Sequence, residues 1–193
     1  MLASASPRRR EILQQLALQF RVIESGADEG EAGRTPPEAY ARTTAERKAA
    51  AVSKKLKGEP GQPCVLAADT IVVIDGAVLG KPRDEHDAMR MLALLQGREH
   101  EVITAVRLED THAAFARTIA VSSRVRFRAL DATTISRYAA SGEGSDKAGS
   151  YAVQGLGAGL VRSIDGSYSN VVGLPACETL ELLMAAGVVE AWP

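Results

Sequence analysis

Residues Val65–Ile74 form an apolar run with one interruption, Asp69, and the run ends at Asp75-Gly76. A run of this length bounded by a turn signal reads as a buried strand. Asp-Gly is the two-residue type I′ hairpin signal, which makes Ala77–Gly80 the returning strand. An aspartate inside such a strand is costly unless it is paired or binds a cation. A two-residue turn sets Lys81 opposite Thr70, roughly 5 Å across the ladder and close to the Asp69-Thr70 pair. Strict alternation puts Lys81 on the face of Thr70, and a bulge at Gly80 would bring it round to Asp69. The plain alternative is a structural Asp–Lys ion pair. Buried pairs contribute little net stability, which weighs toward a catalytic role.

The other elements follow from spacing. Ser6-Pro7 reads as an N-cap and first helical residue, with Ile12, Leu13, Leu16 and Ala17 at helical spacing to about Leu18. Phe20–Glu24 reads as a short strand, and Ser25–Thr35 as a polar, acidic loop. Pro37 to about Leu56 is an Ala-rich helix. Asp84 caps a helix through Ala88, Met91, Leu92 and Leu95 that Gly97 stops, and Asp131 caps another to Ala140. Glu101–Leu108, Phe115–Phe127 and Leu160–Ile164 read as strands, Val171-Val172 as short and extended, and Pro175–Ala186 as a final helix. Helices and strands are mixed without repeats or linkers. The expected fold is α/β, a mixed sheet flanked by helices, with two lobes around a cleft lined by polar loops, in a single domain over 1–193.

A formal net charge of −1 leaves no excess of positive charge to hold a nucleic acid by its phosphates, and no basic-aromatic stripe is present. Cys64 and Cys177 stand far apart beside apolar residues and read as small buried hydrophobes in a reducing compartment. No apolar run is long enough to span a bilayer, and the N-terminus has no secretion pattern, so the expected location is the cytoplasm.

Arg8, Arg9 and Arg10 occupy the first helical turn, where the backbone dipole already leaves positive charge. Free N–H groups at the helix start, the hydroxyls of Ser4 and Ser6 and the guanidinium groups together suit a polyphosphate. A solvated basic turn is an equally weighted alternative. Glu29 and Lys48, taken as residues, read as a loop acid and a surface helix lysine. His86, His100 and His112 lack metal-ligand spacing. Gln154–Gly159 has the glycines of a dinucleotide fingerprint but opens no βαβ unit, which rules that reading out.

Leu2–Arg9, Ala68-Asp69-Thr70, Gly80-Lys81-Pro82, Asp146–Gly149, Gln154-Gly155 and Val171–Pro175 resemble, in order and over nearly the whole chain, the signature segments of the Maf family of nucleoside triphosphate pyrophosphatases. The chain opens directly on the first segment, where relatives usually have a few residues that complete the first strand, which leaves an upstream start open. Gly144-Ser145 stands where a Pro-containing pair is usual, and Thr43-Thr44 where Arg-Leu is usual.

The resemblance implies a homodimer with a deep cleft, similar to inosine triphosphate pyrophosphatases. It also implies a divalent cation, Mg²⁺ or Mn²⁺, and hydrolysis between the α- and β-phosphates. The family's catalytic positions match Ser6, Arg9, Glu29, Lys48, Asp69 and Lys81. Glu29 and Asp69 would hold the metal and Asp69 would also activate water. Arg9, Lys48 and Lys81 would neutralise the triphosphate, while Ser4 and Ser6 would bind substrate phosphate. Arg8, Thr70 and Gln154 resemble the substrate-reading set of the dTTP/UTP branch. A Gln amide offers both a donor and an acceptor to uracil or thymine, whereas the Glu of a sister branch associated with 7-methyl-GTP only accepts. The competing expectations are a 7-methyl-GTP or purine house-cleaning pyrophosphatase, and a nucleotide-binding regulator of cell division.

Overall fold

A computed structural model of the protein describes residues 1–27, 30, 32–59, 61, 63–111 and 115–192. The helices are α1 (Pro7–Gln15), α2 (Pro37–Lys55), α3 (Glu85–Leu95), α4 (Ala132–Ala140), α5 (Tyr168–Val172) and α6 (Ala176–Ala185). The strands are β1 (Cys64–Ile74), β2 (Ala77–Leu79), β3 (Glu99–Asp110), β4 (Ala116–Phe127) and β5 (Val161–Asp165), in the order β2-β1-β3-β4-β5. β1 with β2 and β4 with β5 pair antiparallel, while Leu2 makes isolated parallel bridges to Val22 and Leu66. The fold is α/β, as the alternation of patterns predicts. Phe20–Glu24 contributes a single bridge rather than a strand.

The chain forms two compact units. One comprises Met1–Asp69, Thr104–Val121 and Gly173–Pro193, and the other Thr70–Ile103 and Ser122–Val172. In the first, α2 buries Ala41, Thr44, Ala45, Lys48, Ala49 and Val52, a helical stripe of mostly small side chains. Ala49, Val52 and Leu56 pack with Ala3, Val65 and Ala67 in one apolar cluster. Lys48 therefore lies on the buried face, correcting its residue-level reading as a surface lysine.

In the second unit the Asp84 carboxylate accepts from the Asp87 N–H at 2.7 Å, capping α3. α3 buries Ala88, Met91, Leu92 and Leu95 along one face. Gly97, at φ 66, turns the chain out and donates to the Arg128 carbonyl at 3.0 Å. Leu92 and Leu95 are fully buried, each contributing about 1.5–3 kcal/mol of apolar transfer. Leu92→Ala would remove about 2–5 kcal/mol through lost contact and an unfilled cavity. In the same core the His100 Nε2 lies 2.7 Å from the Tyr151 hydroxyl, and both rings meet Phe127 edge-on. Burial pushes the His100 imidazole down to about 4.

Two further local expectations fail. Val171-Val172 close the short helix α5 rather than lying extended. Cys177 is exposed, with Sγ 3.9 Å from Glu181 Oε1, and Cys64 is half-buried, so neither is a fully buried hydrophobe. No helix of the described residues is long and apolar enough to cross a membrane.

Candidate active site

The first segment is positioned by backbone pairing. The Leu2 N–H donates to the Arg21 carbonyl at 2.8 Å and the Leu2 carbonyl accepts from Ile23 at 3.0 Å. On its other side the Ala3 N–H donates to Leu66 and the Leu66 N–H to Met1, each at 2.8 Å. Ser4 emerges from this pairing just before α1. Its Oγ accepts from the Ser6 N–H at 3.2 Å and from Arg9 Nη1 at 3.1 Å. Arg9 Nε donates to the Gly173 carbonyl at 2.8 Å.

Ser6 occupies the N-cap with extended backbone but makes no side-chain cap bond. The three arginines separate: Arg9 is buried, Arg8 half-buried and Arg10 exposed. The cation that the helix dipole disfavours is thus held at Arg9 by a carbonyl and a hydroxyl, instead of resting in solvent.

The decisive contact is the ion pair of Lys48 Nζ with Asp69 Oδ1 at 2.7 Å. Lys48 and Asp69 are only 8% and 5% exposed, so the pair sits where two charges are expensive to place. The described contacts of Asp69 engage Oδ1, and Oδ2 has no hydrogen bond among the described residues. Ser4 follows Ala3, Lys48 precedes Ala49 and Asp69 lies two residues beyond Ala67. Ala3, Ala49 and Ala67 belong to one apolar cluster. Four expected site residues, Ser4, Arg9, Lys48 and Asp69, are polar, buried and in one unit.

Thr70, Lys81 and Gln154 belong to the other unit. The hairpin is the type expected: Asp75 and Gly76 have φ 52 and 76, and Val72 pairs with Leu79, Val73 with Val78 and Ile74 with Ala77. That register is the one that would set Thr70 opposite Lys81, but β2 ends at Leu79. Gly80 leaves the ladder, and its carbonyl accepts from the Gly149 N–H at 3.1 Å. Gly149 has φ 67, and a Cβ there would stand 3.0 Å from both Val72 methyls, so the position favours glycine. The Gly80-Lys81-Pro82 and Asp146–Gly149 segments, remote in sequence, are thereby joined. Thr70 is half-buried, while Lys81 and Gln154 are exposed. Glu29 lies outside the described residues.

The sequence profile of the family described as Maf-like protein matches residues 1–186. The chain belongs to the Maf family. Among its relatives, the dTTP/UTP pyrophosphatase of Anaeromyxobacter sp. is 48% identical over all of this chain and 91% of its own. That of Myxococcus xanthus is 48% identical over all of this chain and 94% of its own, and that of Bordetella parapertussis 49% identical over 97% and 92%. A solved nucleoside-triphosphatase / dITP/XTP pyrophosphatase from Mycobacterium abscessus aligns over 97% of this chain and 94% of its own. Its TM-score is 0.42 at 11% identity, too low to carry weight for fold or function.

Within this Maf chain the residue that plain sequence reasoning missed is Lys48. The signal was present: position 48 falls in phase with Ala41, Ala45 and Val52, so a lysine there enters the buried stripe.

Proposed function

We propose that this Maf protein hydrolyses dTTP and UTP, unmodified or modified, to the nucleoside monophosphate and pyrophosphate. The observation that carries the reading is the buried Lys48–Asp69 pair, whose carboxylate keeps one oxygen without a hydrogen bond among the described residues. A buried ion pair is a weak device for stability, and a carboxylate held this way is suited to chemistry. The names of relatives 48–49% identical over nearly the whole chain support the substrate class.

Asp69 would orient the attacking water and take its proton as the water's oxygen bonds to the α-phosphorus. The bond from that phosphorus to the bridging oxygen breaks, and pyrophosphate leaves with the electron pair. Lys48 offsets the cost of burying the Asp69 charge. Arg9, already held by Ser4 and Gly173, and Lys81 would stabilise charge on the phosphates, with Ser6 donating a further hydrogen bond. Gln154, with Thr70 and Arg8, would read the base. The Gln154 amide has both the donor and the acceptor that the N3–H and carbonyls of uracil or thymine require.

A divalent cation fits the donor chemistry, because Mg²⁺ and Mn²⁺ prefer hard carboxylate oxygens and Asp69 Oδ2 is one. Asp69 and Glu29 would hold it, and when bound it offsets negative charge on the phosphates. The proposal extends to a cytoplasmic homodimer, which sedimentation of the purified protein tests for its assembly.

A panel of nucleoside triphosphates with pyrophosphate detection tests the reading. The expected result is fastest turnover of dTTP and UTP, dependent on added Mg²⁺ or Mn²⁺. Preferred hydrolysis of purine or 7-methyl-GTP substrates would overturn it.

A further inference from the structure

Gln154 stands exposed at the head of a tight turn, Gly155–Gly159, and its side chain makes no cap bond to that turn. The backbone that carries it is pinned on both sides by one pair of residues. The Tyr138 hydroxyl accepts from the Ala152 N–H at 3.0 Å and donates to Glu143 Oε2 at 2.8 Å. Glu143 in turn accepts from the Leu156 N–H through Oε1 and from the Gly157 N–H through Oε2, each at 2.8 Å. Two residues before Gln154 and two residues after it, the chain is tied to the same Tyr–Glu couple.

The glycines are part of the device. A Cβ on Gly155, at φ 63, would collide with Glu143 Oε1, and one on Gly157 would collide with the Ala152 carbonyl oxygen. Only bare backbone lets the carboxylate settle against consecutive N–H groups, as in an anion-binding nest. Burial pushes the Glu143 carboxyl up, but the bonds from Tyr138, Leu156 and Gly157 outweigh this and hold it below the ordinary carboxylate range. Burial also pushes the Tyr138 phenol up, so it keeps the proton it donates.

We propose that Glu143 and Tyr138 are positioning residues that fix Gln154 and so set the discrimination between uracil or thymine and other bases. This rests on the reading of Gln154 as the base-reading residue. The clamp touches no phosphate and does not act in the chemical step.

The test measures KM and kcat with UTP and CTP by pyrophosphate release for the wild type, Glu143→Gln, Tyr138→Phe, Gln154→Ala and the Glu143→Gln/Gln154→Ala double variant. A misplaced hydrogen-bonding partner is worth on the order of tenfold. Glu143→Gln and Tyr138→Phe are expected to raise KM for UTP by about that factor, to leave kcat within about threefold, and to shrink the UTP-to-CTP preference. The double variant should lose no more than Gln154→Ala alone, because the clamp acts through Gln154. Tyr138→Phe keeps the ring and serves where Glu143→Gln does not fold. Unchanged KM and preference, a fall in kcat alone, or losses that multiply in the double variant would overturn the clamp. A wild-type protein inactive on UTP and dTTP would instead overturn the proposed function, so the two failures are distinguishable.

Discussion

Asp69 and Glu143 are two carboxylates held by their neighbours in opposite ways, the first buried and the second half-buried. Asp69 is answered by one ammonium, and its described contacts use one oxygen. Glu143 is answered by three neutral donors, a phenol and two backbone N–H groups, which occupy both of its oxygens. With three of its roughly four acceptor sites filled, the Glu143 carboxylate serves as a peg for the chain around it. A carboxylate balanced by charge but not filled by hydrogen bonds retains the capacity to take a proton or hold a cation.

The largest effect expected from this contrast is on turnover. Asp69→Asn keeps the shape and removes the proposed base, and should lower kcat with dTTP by roughly a thousandfold. Near-wild-type turnover by a folded Asp69→Asn protein would erase the distinction between the two carboxylates. Next comes Lys48→Met, which strands the buried Asp69 charge. Urea unfolding should show a loss of about 3–5 kcal/mol, most of it restored when Asp69→Asn is added. A loss that persists in the double variant would assign the effect to packing instead of charge.

Acid should expose a third, neutral centre. The folded state holds His100 at about 4, below its usual 6.5, so the unfolded chain binds the proton first. Stability from this group is complete above about pH 6.5 and falls as the pH drops toward 4, by about 3 kcal/mol in all. The lowered Glu143 carboxyl adds its own loss only at lower pH, below the usual carboxylate value. His100→Gln should flatten the slope between pH 6.5 and 5, and an unaltered slope would place the titration elsewhere. The smallest effect is expected at Thr44, a fully buried residue whose hydroxyl has no partner among the described residues. Thr44→Val should stabilise the fold by about 1 kcal/mol in the same urea assay.

What could be read from the sequence follows from how local each signal is. Asp69 announces itself as a charge in an apolar strand, and the Asp75-Gly76 turn fixes three strand pairs without tertiary help. Arg9 is half legible: the clash with the helix dipole marks the place, but the Gly173 carbonyl that holds it lies 164 residues away. Lys48 was obscured because its stripe is built of alanines, whose weak apolar contrast lets a lysine pass as surface. The valines of α5 suggest extension, yet the Ser167 hydroxyl caps Asn170 at 3.2 Å and the buried Asn170 amide donates to Val102 and Ser123, each at 3.0 Å. Tertiary bonds override local preference there. The Tyr138–Glu143 clamp has no sequence period at all, since it depends on glycines that let backbone approach a carboxylate.

The proposed reaction has water attack the innermost phosphorus of a pyrimidine triphosphate. Hydrolysis of UTP in water labelled with heavy oxygen, followed by mass analysis of both products, tests this directly. The account predicts label in UMP and none in pyrophosphate, whereas label in pyrophosphate, or UDP with orthophosphate as products, would contradict it.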